Sequence, residues 1–462
     1  MSVAMENHLT KGDTAETDSE LHRDIISQFP ILNAYTQLLF GFKLPADVDR
    51  DVIVASLQDG FDKLKAEIPW LGWQVARELG PGGILKAMPW PADVPEERIR
   101  VKICDDLIAP MAKLVSAGVP IHMLDGSVLT PWPALPQPRG LEGPDPVVAM
   151  QANFVQGGLI LNLSTHHTII DGTGIYQFMN LLALVMSGKE IPAADLEQAN
   201  RDRSRVITLI PRTEPVKSYS HLRRPPGYTW APPPSPPMWC YFKIPVNALA
   251  RLVKLVKDDP SSNKPGSLMV SENDIFSAFA WQRLCAVRVA NGQPPERSSK
   301  LGRAIDGRMA LGVPLTYMGH MVCHALVRLP LGQVAKLPLP QIAQVLRREL
   351  NQANTPWSIR SFATFMAREP DTSSLLYGGT HDARADLMVT AAGQATPLPA
   401  SWGPLLGRLC FFRRPTAAPI PGCFIINEAE GAFIPLTLCM PEEDINGLKK
   451  DPVWKQYVRY VG

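Results

Sequence analysis

Ser164-Thr165-His166-His167-Thr168-Ile169-Ile170-Asp171-Gly172 stands between two apolar segments of different period, and that change of period decides the fold around it. Before it, Leu159 to Leu163 is an unbroken apolar run with the length of a buried strand, and Gly157-Gly158 supplies the turn of a hairpin returning from Val147 to Val155. After it, Ile175, Phe178, Met179, Leu182 and Val185 recur at three- and four-residue steps, so residues 173–187 bury one face of a helix. A pair of histidines is therefore held where a strand ends and a helix begins, a place from which a rigid scaffold presents side chains to a cleft.

Neighbouring side chains on an extended segment point to opposite sides, so one of His166 and His167 faces the cleft and the other packs. An imidazole, with an ordinary pKa of about 6.5, can take a proton from an incoming hydroxyl or amine near neutral pH. Asp171 can orient that ring or lock the turn by pairing with an arginine, and Gly172 allows a tight exit from strand to helix. Other readings fit the same residues: a purely structural histidine, Asp171 or Thr173 as the cap of the following helix, or a metal site of two histidines and an aspartate. The divergence of adjacent histidines and the want of a further ligand cluster argue against metal. The chain has no G-x-S-x-G elbow and no phosphate-binding glycine loop with a P-loop lysine or Rossmann context.

Composition narrows the class. With 462 residues, 45% hydrophobic and 19% charged, the chain can bury two sizeable cores as an ordinary soluble protein. A formal charge of +2, with lysines and arginines scattered among acids, offers no field for a nucleic-acid backbone. Seven dispersed cysteines without a CxxC pair read as reduced thiols, which points to the cytosol. No segment has the roughly 18 uncharged apolar residues of a membrane span, and no apolar h-region opens the chain.

Along the chain, residues 1–25 lack Phe, Trp and Tyr and read as a disordered leader, with order beginning near Phe29. Ile53, Leu57, Phe61 and Leu64 predict a helix capped by Asp47 or Asp49. Between Pro110 and Pro146 short apolar pieces among Pro and Gly suggest strands joined by loops. Residues 200–237, ending in Pro232-Pro233-Pro234-Ser235-Pro236-Pro237, form a crossover linker rather than core. A strand then runs to Pro245. Ser271-Glu272-Asn273-Asp274 has the form of a capping box before a helix with Ile275, Ala278, Trp281, Cys285 and Val289 inward. Residues 304–314 and 321–329 read as strands, 342–350 as a helix, and 433–440 as a strand before a last helix opened by Pro441-Glu442-Glu443-Asp444. The domains are thus 26–199 and 238–462, with part of 376–410 crossing back to the first sheet.

His166-His167-Thr168-Ile169-Ile170-Asp171-Gly172 resembles the HxxxD motif of the BAHD-type acyltransferases, particularly the fungal branch similar to trichothecene 3-O-acetyltransferases. Further stretches fall in family order: Tyr35 to Val75, Ser271 to Asp274, Ile305-Asp306-Gly307-Arg308, Tyr317-Met318-Gly319-His320, Ala400-Ser401-Trp402 and Arg413-Arg414-Pro415. The resemblance implies an α/β (α+β) fold of two chloramphenicol-acetyltransferase-like domains, each a mixed sheet with helices, around a central channel. It implies a monomeric, CoA-dependent O- or N-acyltransferase, an acetyltransferase by donor, acting on a small hydrophobic specialised metabolite without a metal, a nucleic acid or a membrane as partner. Carried over residue by residue, His167 is the general base, Asp171 and Gly172 shape the loop with Arg308 as the arginine partner, and Trp402 is the donor to the oxyanion. Ser271, Asn273 and Ser401 fall to substrate and CoA binding. The family's D-F-G-x-G motif is reduced here to Gly407 in a shortened segment after Trp402, and His320 replaces the usual Asn. Those departures keep two alternatives open: a condensation-type enzyme using carrier-bound substrates, and a catalytically impaired relative that binds a ligand.

Overall fold

The computed structural model describes residues 24–77, 84–94, 97–136, 145–391 and 397–462. In chain order its strands are β1 (Tyr35–Lys43), β2 (Gln74–Arg77), β3 (Leu85–Met88), β4 (Arg100–Ile103), β5 (Asp145–Pro146), β6 (Val148–Val155), β7 (Gly158–His166) and β8 (Pro237–Pro245). There follow β9 (Ser298–Asp306), β10 (Val322–Pro330), β11 (Leu387–Ala391), β12 (Phe411–Arg413), β13 (Cys423–Ile426), β14 (Phe433–Pro441) and β15 (Arg459–Tyr460). The principal helices are α1 (Arg50–Glu67), α2 (Gly172–Met186), α3 (Val246–Lys257), α4 (Glu272–Ala290), α5 (Leu339–Ala353), α6 (Pro356–Arg368) and α7 (Glu442–Lys450).

Two mixed sheets carry the two halves. The first has the order β12-β1-β7-β6-β4, the second β10-β9-β11-β13-β14-β8-β15, and β3-β2-β5 form a small third one. β7 lies at the centre of the first sheet, antiparallel to β1 on one side and to β6 on the other. Every residue of β7 is buried, which is why its apolar run shows no alternation. Leu159, Leu161 and Leu163 join the core under α1 and α2, while Ile160 packs on the opposite face with Leu39 and Leu114. α1 forms because its apolar positions fall on one stripe, and Asp49 accepts the Asp51 N–H to cap it. The second core packs α4, α5 and α7 on the second sheet, and α4 begins with the reciprocal Ser271–Asp274 capping box.

β12 returns to the first sheet and pairs antiparallel with β1, so a segment late in the chain completes the sheet that carries the histidines. Several expectations change. Among the described residues, the 110–146 region contains helical turns at Met111–Ser116, Ile121–Met123 and Gly126–Leu129 rather than a series of strands, with Asp145–Pro146 as its one strand. The strand expected over 304–314 ends at Asp306 and gives way to a helical turn, Arg308–Leu311. Of the leader, residues 1–23 lie outside the described residues, but Asp24, Ile26 and Ser27 are buried, so order precedes Phe29. The crossover is also more than a tether, since Ile207 and Leu222 enter a third apolar cluster with Ile26, Phe29, Tyr317 and Phe362.

Candidate active site

β7 ends at His166, and the chain turns at once: the Ile169 and Ile170 N–H groups both donate to the His166 carbonyl, at 3.0 and 3.1 Å. The His167 N–H donates to the Ala34 carbonyl at 2.9 Å, so the first residue past β7 is still held by the chain leading into β1. The two rings then separate. His166 is fully buried, its Nε2 lies 3.2 Å from the Asn33 amide oxygen, and Tyr35 meets it edge-on at 5.3 Å. His167 is partly exposed, and its Nδ1 lies 3.3 Å from the Ile170 carbonyl oxygen. A carbonyl only accepts, so in the neutral ring Nδ1 carries the proton and Nε2 keeps its lone pair.

Asp171 caps α2 by accepting the Gly174 N–H at 2.9 Å. The same carboxylate, fully buried, takes two Arg308 N–H bonds at 2.9 Å each and the Met321 N–H at 2.8 Å. Arg308 spans from the second sheet, donating also to Asp306, to the Tyr317 carbonyl at 3.0 Å and to the Gly319 carbonyl at 2.6 Å. Burial alone would raise the Asp171 pKa, but the Arg308 guanidinium outweighs it and holds the carboxyl below its usual range. Thr173 donates to Asp306 at 2.7 Å, so the start of α2 is tied twice to the end of β9. Gly174, two residues into the helix, is closely packed. Gly172 opens α2 outside the left-handed region, whereas a Cβ on Gly174 would collide with the Met318 carbonyl oxygen.

His320 lies against the His167 ring, with centroids 5.7 Å apart. It is buried, and its pKa is pushed down to about 3, first by burial and further by the His167 and Arg308 charges against the pull of Asp171. It is therefore a neutral wall. The His167 pKa is lowered as well, by burial first; Asp171 and the Ile170 carbonyl pull it back up, while Arg414 adds to the fall. Arg414 follows β12, and its N–H and C=O both bond the Tyr241 hydroxyl, at 2.6 and 2.9 Å, where the two sheets meet. Its Nε is sealed without a hydrogen-bond partner. Although Arg413-Arg414-Pro415 is visible in the sequence, nothing in it says which arginine's charge is felt by the histidine.

Trp402 is not at this site. Its indole packs between Phe40 and Phe42, at 5.1 and 5.6 Å, in the core beneath β1. Phe40 is five residues along β1 from Tyr35, the partner of His166, which is about 17 Å of strand. The next residue, Gly403, packs on the carbonyl of Met186, the last residue of α2, about 20 Å from the end that carries Asp171. Trp402 is a core aromatic, and its expected role as oxyanion donor is corrected. The shortened segment after it closes as a turn, with the Trp402 N–H on the Gly407 carbonyl at 2.8 Å and the Gly407 N–H on Gly403 at 3.0 Å. The loop that departs from the family pattern thus lies at the opposite end of α2 from His167.

Ser271 and Asn273 sit at the N-terminus of α4. The Ser271 hydroxyl donates to Asp274 at 2.8 Å and accepts its N–H, and the Asn273 amide oxygen accepts from Ser277 at 3.0 Å. Asp274 also binds Arg303 and Arg347, two buried or half-buried cations beside that helix end. Ser401 is exposed beside Trp402. Among the described residues no group of three His, Cys, Asp or Glu could hold a metal ion, and no helix is long and apolar enough to cross a membrane.

Residues 34–185 match the family model of the trichothecene 3-O-acetyltransferase-like N-terminal domain, and residues 135–397 that of the Transferase family. The O-acetyltransferase SAT5 of Stachybotrys chartarum is 38% identical over 451 residues, covering 96% of this chain and 96% of its own. The O-acyltransferase pigD of Monascus ruber is 37% identical over 451 residues, covering 95% and 98%. The crystal structure of F. sporotrichioides TRI101 complexed with coenzyme A and T-2 matches at a TM-score of 0.85 and 27% identity, over 96% of this chain and 99% of that one. By full-length sequence similarity and by fold, this chain belongs to the Transferase family, the BAHD-type acyltransferases, and carries their trichothecene 3-O-acetyltransferase-like N-terminal domain.

Proposed function

We propose that His167 is the general base of an acyl transfer from an acyl-CoA to the hydroxyl of a small hydrophobic alcohol of specialised metabolism. The chain is an acyl-CoA-dependent O-acyltransferase by its relatives. The single observation that supports His167 in particular is its hydrogen bond to the Ile170 carbonyl, which leaves a lone pair on Nε2 of a partly exposed ring. In this reading Nε2 removes the hydroxyl proton as the oxygen attacks the thioester carbonyl carbon. The tetrahedral oxyanion collapses, the carbon–sulfur bond breaks, and the departing thiolate takes the proton from the imidazolium. An ester and free CoA result, with no acyl-enzyme. Asp171 and Arg308 act on geometry, holding the loop and not the proton.

The donor is acetyl-CoA in this proposal, and both substrates reach His167 along a channel between the two sheets. The N-terminus of α4, a positive helix end with Ser271, Asn273 and two arginines, suits a phosphate of CoA, and Ser401 is assigned to CoA binding by family order alone. The enzyme works as a cytoplasmic monomer, in keeping with seven free cysteines. Incubation with acetyl-CoA and a panel of hydrophobic alcohols, followed by thiol release, tests the reading. Release that requires the alcohol and is lost in His167→Ala is expected; undiminished release in that variant overturns the assignment. Ser271→Ala should raise KM for acetyl-CoA and leave kcat within about threefold.

A further inference from the structure

The mechanism leaves unused a buried ion pair that lies beside His167. Asp24 and Arg203 are each 3% exposed, and Arg203 Nη1 donates to Asp24 at 2.6 Å. They come from opposite sides of the first half, Asp24 ahead of β1 and Arg203 in the crossover after α2. The Arg203 guanidinium also stacks over Trp70 at 4.2 Å, so it is held by a ring as well as a charge.

The pair reaches both walls of His167. On one side Arg203 Nη1 donates to the Ile169 carbonyl at 2.7 Å, one residue before the carbonyl that accepts the His167 Nδ1 proton. On the other, Asp24 Oδ1 accepts the His320 N–H at 3.1 Å, and the His320 ring lies against His167. Burial pushes the Asp24 carboxyl up, and Arg203 and the His320 amide pull it down. Arg203 Nε and Nη2 and His320 Nε2 are sealed with no partner, and Asp24, Arg203, Tyr317 and His320 line a void of about 10 Å³. That is about the space of one water, which accepts from at most two of these N–H groups.

We propose that Asp24 and Arg203, with one bound water, form a two-armed brace that fixes the ring position and Nδ1–H tautomer of His167; they are positioning residues and touch neither substrate. The inference rests on the reading of His167 as the base. Removing the brace frees the 168–171 turn and the His320 wall to shift, and a misplacement of about 1 Å at a catalytic group costs about 100-fold in rate.

The test compares Arg203→Lys, Asp24→Asn and the double variant Asp24→Leu/Arg203→Met. Removing both charges avoids leaving one ion buried alone, so the double variant should fold. Two readouts are taken: steady-state kinetics of thiol release, and imidazole ¹⁵N spectra of protein labelled at histidine, with the His167 signal assigned by its loss in His167→Ala. The double variant should lose about 10- to 100-fold in kcat with KM for acetyl-CoA within about threefold, and its His167 signal should move from a single Nδ1–H tautomer to a mixture. Arg203→Lys should recover part of kcat. A folded double variant with wild-type kcat and spectrum overturns the brace, as does a loss of kcat with the His167 spectrum unchanged. If His167→Ala keeps full turnover, the base assignment falls by itself, and the spectra still decide whether the pair positions the ring.

Discussion

Replacing Arg308 with methionine removes the cation that joins the two halves of the molecule at Asp171, and its cost can be worked from the contacts. The guanidinium supplies two bonds to Asp171, one to Asp306 and one each to the carbonyls of Tyr317 and Gly319. After the change Asp171 keeps only the Gly174 and Met321 N–H groups for a fully buried charge. Breaking a buried pair in this way costs about 3–5 kcal/mol. Asp171→Asn should cost less, because Arg308 retains Asp306. In Asp171→Asn/Arg308→Met no uncompensated charge is left between them, so the double variant should lose less than the two singles added, with a coupling of about 1–3 kcal/mol. Urea unfolding followed by tryptophan fluorescence measures all four proteins. The pH dependence has a definite sign. In the wild type Asp171 has a depressed pKa, so its contribution is full above the unfolded value of about 3.9 and is lost only as pH falls through the folded value. In Arg308→Met burial raises that pKa instead, and ionising the carboxyl then costs stability as pH rises through it. The gap between wild type and Arg308→Met should widen from pH 5 to pH 8. Additive effects within about 0.5 kcal/mol, or a gap independent of pH, would refute the reasoning.

Trp402→Phe should leave kcat within about threefold while Trp402→Ala lowers stability by about 3–5 kcal/mol; a drop of about 100-fold in kcat for the phenylalanine variant would return the indole to the oxyanion. The acidic limb of kcat/KM should lie below the ordinary imidazole value of about 6.5, and Arg414→Met, by removing a positive charge that depresses His167, should move it upward; a limb that stays put shows that the charge is not felt. Glu428, half-buried, has its pKa raised by burial to about 7, so its ionisation opposes folding, a cost that builds as pH rises from the ordinary carboxylate range to that value and is full above it. Glu428→Gln should therefore melt higher than the wild type at pH 8 and by a smaller margin at pH 5, and equal melting at both would sink that account.

What the sequence made legible follows from how local each signal is. The β7–turn–α2 unit could be read because burial on both faces makes a continuous apolar run and because Asp171 caps the helix three residues before Gly174. The capping box at Ser271 is likewise a four-residue affair. Arg308 as the partner of Asp171, 137 residues away, came from family order and not from spacing, and the contact is now visible. The helices α3 and α6 escaped the reading: each begins next to a proline, at Pro245 and Pro356, where the pattern reads as a break. Trp402 was misjudged because an indole carries the same N–H in a core as at a site, and its packing on Phe40 and Phe42 shows which it occupies. Asp24 had no signal at all. It lies in the stretch read as a leader, and its partners stand 179 and 296 residues away.

With His167 as the proposed base, the charges around it suit a reaction that separates charge rather than a strong base. At pH 7.5 an imidazole of ordinary pKa, about 6.5, is already about nine-tenths free base, so lowering its pKa gains little active form and costs proton affinity. An arginine that depressed the base and did nothing else would therefore be a liability. Acyl transfer, however, creates two charges together, a cation on the imidazole and an anion on the carbonyl oxygen. The fixed group of Asp171, Arg308 and Asp306 carries a net charge of −1 and favours the first. Arg414 opposes the first, and a positive charge that reaches the site also favours the second, where partial burial leaves such charges poorly screened. With Trp402 assigned to the core, the electrostatic help for the oxyanion has to be sought among cations of this kind, at the junction where β12 from the end of the chain is laid beside β1 from its beginning.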